Sequence, residues 1–145
     1  MIFNKENILK TLNKYNFDSQ NYIVISGAAL VLQNVKEYTS DIDITVSNEL
    51  YNQLLKKYSC TFEKEIENYN VWFIDNIINF SNHYYEKIEY IELFGYKVQT
   101  IKSVLKNKRT DIELIIVIDG STDNSLKICA KMKEIDNRIK IYLQD

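Results

Sequence analysis

The stretch ISGAALVLQNVKEYTSDIDITV, residues 25–46, decides the fold of most of the chain. It begins inside a short apolar run, NYIVIS, whose β-branched residues predict a buried strand. Gly27 ends that strand, and GAALVLQNV predicts a helix that begins at once. SDIDITVS then alternates polar and apolar residues, which predicts a second strand. The stretch therefore predicts a strand, a helix and another strand joined by short connections.

Asp41 and Asp43 are the unusual feature of the second strand. Positions i and i+2 of a strand point to the same face, so the two carboxylates lie side by side, with Thr45 beyond them. Two like charges repel each other there, and burying them is costly. A divalent cation between them removes the repulsion, because hard cations such as Mg²⁺ take oxygen ligands. The alternative is an exposed strand face with two solvated aspartates, since a bare Asp-x-Asp pattern is short.

The residues just before the pair favour a phosphate site. Free N–H groups at the start of a helix can hold phosphate oxygens, and Ser26 adds a hydroxyl beside Gly27. In the order and spacing of these elements, the stretch resembles the DNA polymerase β-like nucleotidyltransferase superfamily, particularly its small bacterial members. The resemblance covers residues 1–108. It implies an α/β (α+β) fold in which helices flank a mixed sheet.

The resemblance also implies an activity. Members of this type use Mg²⁺ (or Mn²⁺) and transfer a nucleoside monophosphate from an NTP to a hydroxyl, with release of pyrophosphate. The acceptor is open: RNA, a protein side chain or a small molecule. Asp41 and Asp43 match the metal ligands, and Ser26 and Gly27 match the residues that position the triphosphate. The usual Gly-Gly or Gly-Ser pair is replaced by Ser26–Gly27 or by Gly27–Ala28, depending on the register. That departure keeps open a non-catalytic or degenerate nucleotide-binding domain.

A third carboxylate of the family lies on a later strand. Asp75 in VWFIDNIINF is the best match, because it is the only carboxylate in an otherwise apolar run. It is expected to complete the metal cluster or to act as the base toward the acceptor hydroxyl. Asn79 is expected on the same strand face and is a candidate to assist. The alternative for Asp75 is a strand-end aspartate that caps a turn.

Two lysines follow in GYKVQTIKSVLKNKR, which resembles the segment leading into a lysine-bearing helix in these proteins. Lys102 and Lys106 are four residues apart and share a helical face. They are candidates to neutralise a triphosphate. The alternative is a solvated lysine face with no ligand.

The pattern changes near the C-terminus. DIELIIVIDGSTDNSLKICAKMKEIDNRIKIYLQ, residues 111–144, predicts a strand, a loop, a helix and a strand, which is a βαβ unit. Over residues 109–144 it resembles the nucleotide-sugar-binding segment of inverting family 2 glycosyltransferases of the GT-A fold. The matching residues are Asp119, Gly120, Ser121, Thr122, Asp123, Asp136, Asn137 and Arg138.

We therefore expect two domains, a nucleotidyltransferase-like domain at 1–108 and a glycosyltransferase-like βαβ fragment at 109–145. Ile118 replaces the first of two aspartates that hold the uridine part of the donor in the second family. No later Asp-x-Asp motif follows in this sequence, so a remnant that binds a UDP-sugar is the weaker functional alternative. Because so small a unit buries little core, we expect it to dock on the first domain or on another chain through ELIIVI, residues 113–118.

Composition excludes several other classes. The 145 residues carry a net charge of −2, which gives no argument for broad nucleic-acid or membrane binding. The sequence has two distant cysteines and one histidine, which argues against a zinc site and indicates reduced thiols. No apolar run approaches the length that spans a bilayer, and the N-terminus does not resemble a signal peptide. We expect a cytoplasmic protein without membrane contact, with a partner protein or a homo-oligomer as an open prediction.

Overall fold

A computed structural model describes residues 2–83, 85–106, 113–120 and 122–144. The chain divides into two compact units, Met1–Val104 and Leu105–Asp145. The predicted boundary between residues 108 and 109 lies outside the described residues. Across the described ranges, no helix is both long and apolar enough to cross a membrane.

The first unit is built on one mixed sheet, as predicted. In chain order the elements that begin in this unit are α1 (Lys5–Tyr15), β1 (Tyr22–Val24), α2 (Ser26–Leu32), β2 (Ile42–Val46), α3 (Asn48–Lys57), β3 (Cys60–Ile66), β4 (Tyr69–Ile74), β5 (Ile78–Ser81), β6 (Tyr90–Leu93), β7 (Tyr96–Gln99) and α4 (Ile101–Lys106), which extends into the second unit. In the described part of this unit, seven strands follow the order β3-β4-β5-β2-β1-β7-β6. The mixed sheet and its flanking helices confirm the predicted fold class.

Strand β2 occupies the centre of the sheet. It pairs antiparallel with β1 and parallel with β5, and β1 also pairs parallel with β7. Ile42 and Ile44 point into the core and are fully buried. The start of β2 therefore lies beside the end of β1 and the start of β5. The end of β7 reaches the same edge of the sheet, because β7 runs parallel to β1.

Helix α1 shows how local signals and burial agree. Asn4 caps its start, because its side chain accepts a hydrogen bond from the Asn7 N–H. Ile8 and Leu12, four residues apart on one face of the helix, are both buried. The helix ends at Asn16, whose left-handed backbone (φ 49°) is a common helix terminator.

One local prediction was wrong. VWFIDNIINF does not form one strand: β4 ends at Ile74 and β5 begins at Ile78, so the segment is a hairpin. Asp75 and Asn76 both have positive φ, at 54° and 55°, a conformation that Asp and Asn tolerate better than most residues. Helix α3 is capped by Ser47, since the Ser47 hydroxyl accepts the Leu50 N–H.

The second unit contains the predicted βαβ pattern. Its described elements are β8 (Leu114–Asp119), α5 (Ser125–Ile135) and β9 (Ile139–Gln144), and the two strands pair in parallel. Asp136 binds Arg138 through two parallel N–H···O contacts of 2.9 and 2.6 Å, which lower the pKa of the Asp136 carboxyl. Ser121 lies outside the described residues. Docking through residues 113–118 stays a prediction.

Gly27 is required by a close approach at the start of α2. A Cβ placed on Gly27 would lie 2.6 Å from the Thr39 Oγ1 and 3.4 Å from its Cβ. Thr39 cannot retreat easily, because two backbone hydrogen bonds of 2.8 and 3.0 Å hold it to Phe3. The neighbouring Ser26 has φ 54°, the left-handed conformation that favours glycine.

The substitution Gly27→Ala should therefore lower the free energy of unfolding by about 1–3 kcal/mol, because it overpacks a fixed contact. Ser26→Gly is the matched control, since glycine adopts the left-handed conformation without strain and should leave stability equal or slightly higher. Urea denaturation measures both. An unchanged midpoint for Gly27→Ala would contradict the steric explanation.

Two tyrosines predict alkaline instability. Burial, and for Tyr15 also Asp75, raises the pKa of Tyr15 and Tyr22 well above the ordinary value near 10. Above about pH 10 the unfolded chain loses these protons before the folded chain does, so stability falls as pH rises further. In both Tyr→Phe variants, stability should therefore fall less steeply as the pH rises. At pH 7, Tyr22→Phe should be neutral or stabilising, because among the described residues its buried hydroxyl has no hydrogen-bond partner.

Tyr15→Phe is the matched comparison, since its hydroxyl donates a hydrogen bond to Asp75. At pH 7, Tyr15→Phe should lower the free energy of unfolding by about 1 kcal/mol, whereas Tyr22→Phe should not lower it. Thermal unfolding between pH 7 and 11 measures both effects. If the melting temperature falls equally steeply above about pH 10 in the wild type and in both variants, the assignment to these hydroxyls is refuted.

Candidate functional site

Asp41 and Asp43 lie together at the start of the central strand. Asp41 immediately precedes β2 and Asp43 is its second residue, and both are half-buried. The Asn79 Nδ2 donates to the Asp41 Oδ2 at 3.0 Å and to the Asp43 Oδ1 at 3.1 Å. We call these three side chains the aspartate–asparagine cluster. Its geometry follows from the β2–β5 register, which sets Asp43 opposite Asn79.

Asn79 is the most informative member of the cluster. Its side chain is only 5% exposed, and its Oδ1 is buried with no hydrogen-bond partner among the described residues. A buried carbonyl oxygen without a partner is costly and calls for an explanation. From the sequence, Asn79 is expected only to assist Asp75. The signal that could have identified it is a single asparagine between Ile78 and Phe80 in an otherwise apolar strand.

The structure does not bring Asp75 to the cluster. Asp75 lies in the exposed turn between β4 and β5, where the hydroxyl of Tyr15 donates a hydrogen bond to it. Its expected position on a strand face shared with Asn79 was wrong, and the alternative of a turn aspartate describes its place. Among the described residues, no three His, Cys, Asp or Glu side chains are grouped to hold a metal ion.

Ser26 and Gly27 lie next to the cluster. The Ile25 N–H donates to the Asp43 carbonyl oxygen at 2.9 Å, which places the start of α2 beside the pair. The positive φ of Ser26 favours the Ser26–Gly27 register over Gly27–Ala28, because the first position then has the conformation that glycine prefers. Ser26 and Gly27 therefore follow directly on a residue that is hydrogen-bonded to the Asp43 backbone.

Gln99 was missed by sequence reasoning. It is fully buried, and its Oε1 accepts the Ser26 N–H at 3.0 Å. Its Nε2 donates to the Ser103 Oγ at 3.1 Å, so it ties the end of β7 to both α2 and α4. Since the Ser26 N–H is already bound, the predicted phosphate contact rests on the Ser26 hydroxyl and on Gly27. The only sequence signal was a glutamine at the end of a strand.

The two lysines lie on α4. Thr100 caps this helix, since its Oγ1 accepts the Ser103 N–H at 3.1 Å. Lys102 and Lys106 are exposed, and their spacing puts them on one helical face. Their expected contact with a triphosphate stays a prediction.

The cluster fits a divalent cation. Two carboxylates supply the hard, charged oxygens that Mg²⁺ and Mn²⁺ prefer, and Asn79 is a third side chain of the cluster that carries an oxygen. The Asp41 carboxylate is also held by the Ser40 hydroxyl at 3.1 Å. The unpartnered Asn79 Oδ1 is the structural observation that favours a ligand here, because its own surroundings leave it unsatisfied.

A second concave surface lies at the opposite end of β2. This polar cleft, with a volume of about 290 Å³, begins at Val46 and includes His83 and Tyr69. The His83 ring stacks on Tyr69 with 4.3 Å between centroids, and its Nε2 lies 3.3 Å from the Glu67 Oε2. Burial lowers the pKa of His83 against the opposing effect of Glu67. The cleft is thus separate from the aspartate–asparagine cluster along the same strand.

Comparison with known proteins gives different results for the two parts of the chain. The family described as glycosyl transferase family 2 matches residues 95–145. Glycosyltransferase GlyG of Streptococcus pneumoniae serotype 4 (strain ATCC BAA-334 / TIGR4) is 42% identical over 50 residues, which are 34% of this chain and 17% of that protein. No solved structure matches the chain.

The match to the glycosyltransferase family confirms the predicted resemblance of the C-terminal segment, although it covers a minor part of the chain. Residues 2–108 match the family described as nucleotidyltransferase of unknown function (DUF6036), which confirms the predicted resemblance of the longer segment. That range contains all three residues of the aspartate–asparagine cluster. By this match over most of its length, the chain belongs to the DUF6036 family of nucleotidyltransferases.

Proposed function

We propose that the first unit is a divalent-cation-dependent nucleotidyltransferase domain that moves a nucleoside monophosphate from an NTP to an acceptor hydroxyl. The observation that carries the proposal is the joining of Asp41 and Asp43 with Asn79 at one edge of the sheet. Membership of the DUF6036 family supports the reaction class. The nucleobase and the acceptor, whether RNA, protein or small molecule, are left open by this proposal.

Each group has a proposed task. Asp41 and Asp43 hold the cation, which when bound offsets the negative charge of the phosphates. Ser26 and Gly27 lie beside the pair and are proposed to contact the triphosphate through the hydroxyl and the bare backbone. Lys102 and Lys106 are proposed to add positive charge from α4. Gln99 holds the Ser26 backbone in place and acts as a positioning residue.

A second candidate function is nucleotide binding without efficient transfer. A neutral amide at Asn79, and no carboxylate, lies against Asp41 and Asp43. Two-cation phosphoryl transfer uses two metal ions to stabilise both the attacking and the leaving oxygen, and a cluster of negatively charged ligands holds those ions. The neutral amide is the observation that supports this second candidate.

A UDP-sugar site in the second unit is the weaker candidate. Asp119 is exposed at the end of β8, and Asp136 is already engaged by Arg138. The segment similar to the pneumococcal glycosyltransferase covers only a small share of that protein. A nucleotide-sugar activity of this chain would therefore need groups beyond those that the match provides.

The proposal predicts that an NTP with Mg²⁺ stabilises the protein. At about 100 times the dissociation constant, binding adds about 2.7 kcal/mol and raises the melting temperature by several degrees. Asp41→Asn and Asp43→Asn should each abolish the shift, because they remove charge from the cation site. Glu65→Gln, an exposed carboxylate on β3, is the matched control and should keep it.

Differential scanning fluorimetry with each NTP and with UDP-sugars distinguishes the candidates. A shift with an NTP but no pyrophosphate release with RNA, protein or small-molecule acceptors supports binding without transfer. A UDP-sugar shift that survives Asp41→Asn assigns the site to the second unit. No shift with any NTP would refute the leading proposal.

The position of Asp75 yields a separate prediction. Asp75→Asn keeps a residue that tolerates positive φ and leaves an oxygen to accept from Tyr15, so stability should change by less than about 1 kcal/mol. The affinity for Mn²⁺, measured from free Mn²⁺ by electron paramagnetic resonance (EPR), should stay within about twofold, whereas Asp43→Asn should reduce it at least about tenfold. A tenfold loss in Asp75→Asn would establish Asp75 as a ligand after all.

A further inference from the structure

The Asn79 amide has its two ends in opposite situations. The Nδ2 makes two hydrogen bonds, at 3.0 Å to Asp41 and 3.1 Å to Asp43. The Oδ1, on the same planar group, is buried and has no partner among the described residues. Buried polar atoms are normally satisfied, so an amide that is fully used at one end and unused at the other is expected to serve a second arrangement.

Resting on the cation site of the proposed function, we propose that Asn79 has two roles. Without a cation, its NH₂ group holds the two carboxylates together. With a cation, the amide turns about its Cβ–Cγ bond, and Oδ1 becomes a neutral third ligand. The site then holds one divalent cation.

The observed distances agree with this exchange. A half-turn of the amide puts Oδ1 close to where Nδ2 lies, because the two atoms are related by that rotation. Ligands at right angles around Mg²⁺, each at about 2.1 Å, are about 3.0 Å from each other. The contacts from the amide to Asp41 and Asp43 already have this length. The three side chains therefore need little movement to offer three oxygens to one ion.

Charge sets the number of cations. Asp41 and Asp43 together supply two negative charges, which one divalent cation balances, and the amide of Asn79 adds none. A second cation would lack anionic ligands within the cluster. The repulsion between the two carboxylates in the cation-free state is offset by the two N–H donors, which explains how the pair can be half-buried together.

The test uses the full chain and the metal alone. EPR measurement of free Mn²⁺ gives the stoichiometry and affinity for the wild type, Asn79→Ala, Asn79→Asp and Asn70→Ala. Asn70 is an exposed asparagine on β4 and is the matched control. In parallel, a Mg²⁺ titration follows the side-chain NH₂ signals of Asn79 by NMR, assigned through their loss in Asn79→Asp.

We expect one Mn²⁺ per wild-type chain and an unchanged affinity in Asn70→Ala. Asn79→Ala should bind about tenfold more weakly, because it loses a ligand, and Asn79→Asp at least about tenfold more tightly, because it gains a charged one. The Asn79 NH₂ signals should move as Mg²⁺ saturates the site. If Asn79→Ala fails to fold, the wild-type NMR titration and Asn79→Asp decide the matter.

Several results would overturn the inference. Wild-type binding with equal or tighter affinity in Asn79→Ala would mean that the amide only competes with the ion. Two ions in the wild type would refute the single-cation site. Binding by Asn79→Asp alone would mean that the asparagine replaces the cation. Absence of binding in every variant would remove the cation from the proposed function as well, which distinguishes that failure from failure of the Asn79 role alone.

Discussion

The register between β2 and β5, which sets Asp43 opposite Asn79, is the constraint on which the site depends. A slip of one residue would turn every side chain of β2 to the other face of the sheet. Such a slip would expose Ile42 and Ile44, which are fully buried, so the core opposes it. The hydrophobic face of the central strand therefore holds the polar face in position, and the carboxylates meet the amide as a result.

The same edge of the sheet is held by contacts between elements far apart in the chain. Gln99 at the end of β7 accepts the Ser26 N–H, and Thr39 fills the space that Gly27 leaves open. These contacts fix the start of α2, where Ser26 keeps a left-handed backbone. A non-glycine residue in that conformation persists only where its surroundings determine it, and such positions are concentrated at functional sites.

Local patterns were sufficient for most elements of the fold. Alternation predicted β2, and the apolar run at residues 114–118 predicted β8. The pattern failed at Asp75, where two turn residues lie inside an apolar run of strand length. Because Asp and Asn tolerate positive φ, the chain reverses there without a glycine or a proline to mark the turn.

The site was only half predictable for a related reason. The sequence alone identifies Asp41 and Asp43 as candidates, since two carboxylates on one strand face are unusual within a single segment. Asn79 lies 36 residues beyond Asp43, and Gln99 lies 73 residues beyond Ser26. Their roles follow from strand pairing, which the spacing of residues in the chain does not reveal. Asparagine and glutamine also carry no charge, so the sequence does not mark them as candidate ligands.

Because Asn79 carries no charge, nucleotide binding and nucleotidyl transfer have to be considered separately here, although family membership alone suggests both. The nucleotidyltransferase family implies a nucleotide substrate, and a nucleotide can be held through one cation on Asp41 and Asp43. Nucleotidyl transfer through two cations requires more negative charge than these two carboxylates supply. An amide also donates, as a carboxylate cannot, so Asn79 can keep the pair assembled while no cation is present. In the proposed site, the residue that limits the cluster to one ion is therefore also the residue that preserves its geometry before the ion arrives.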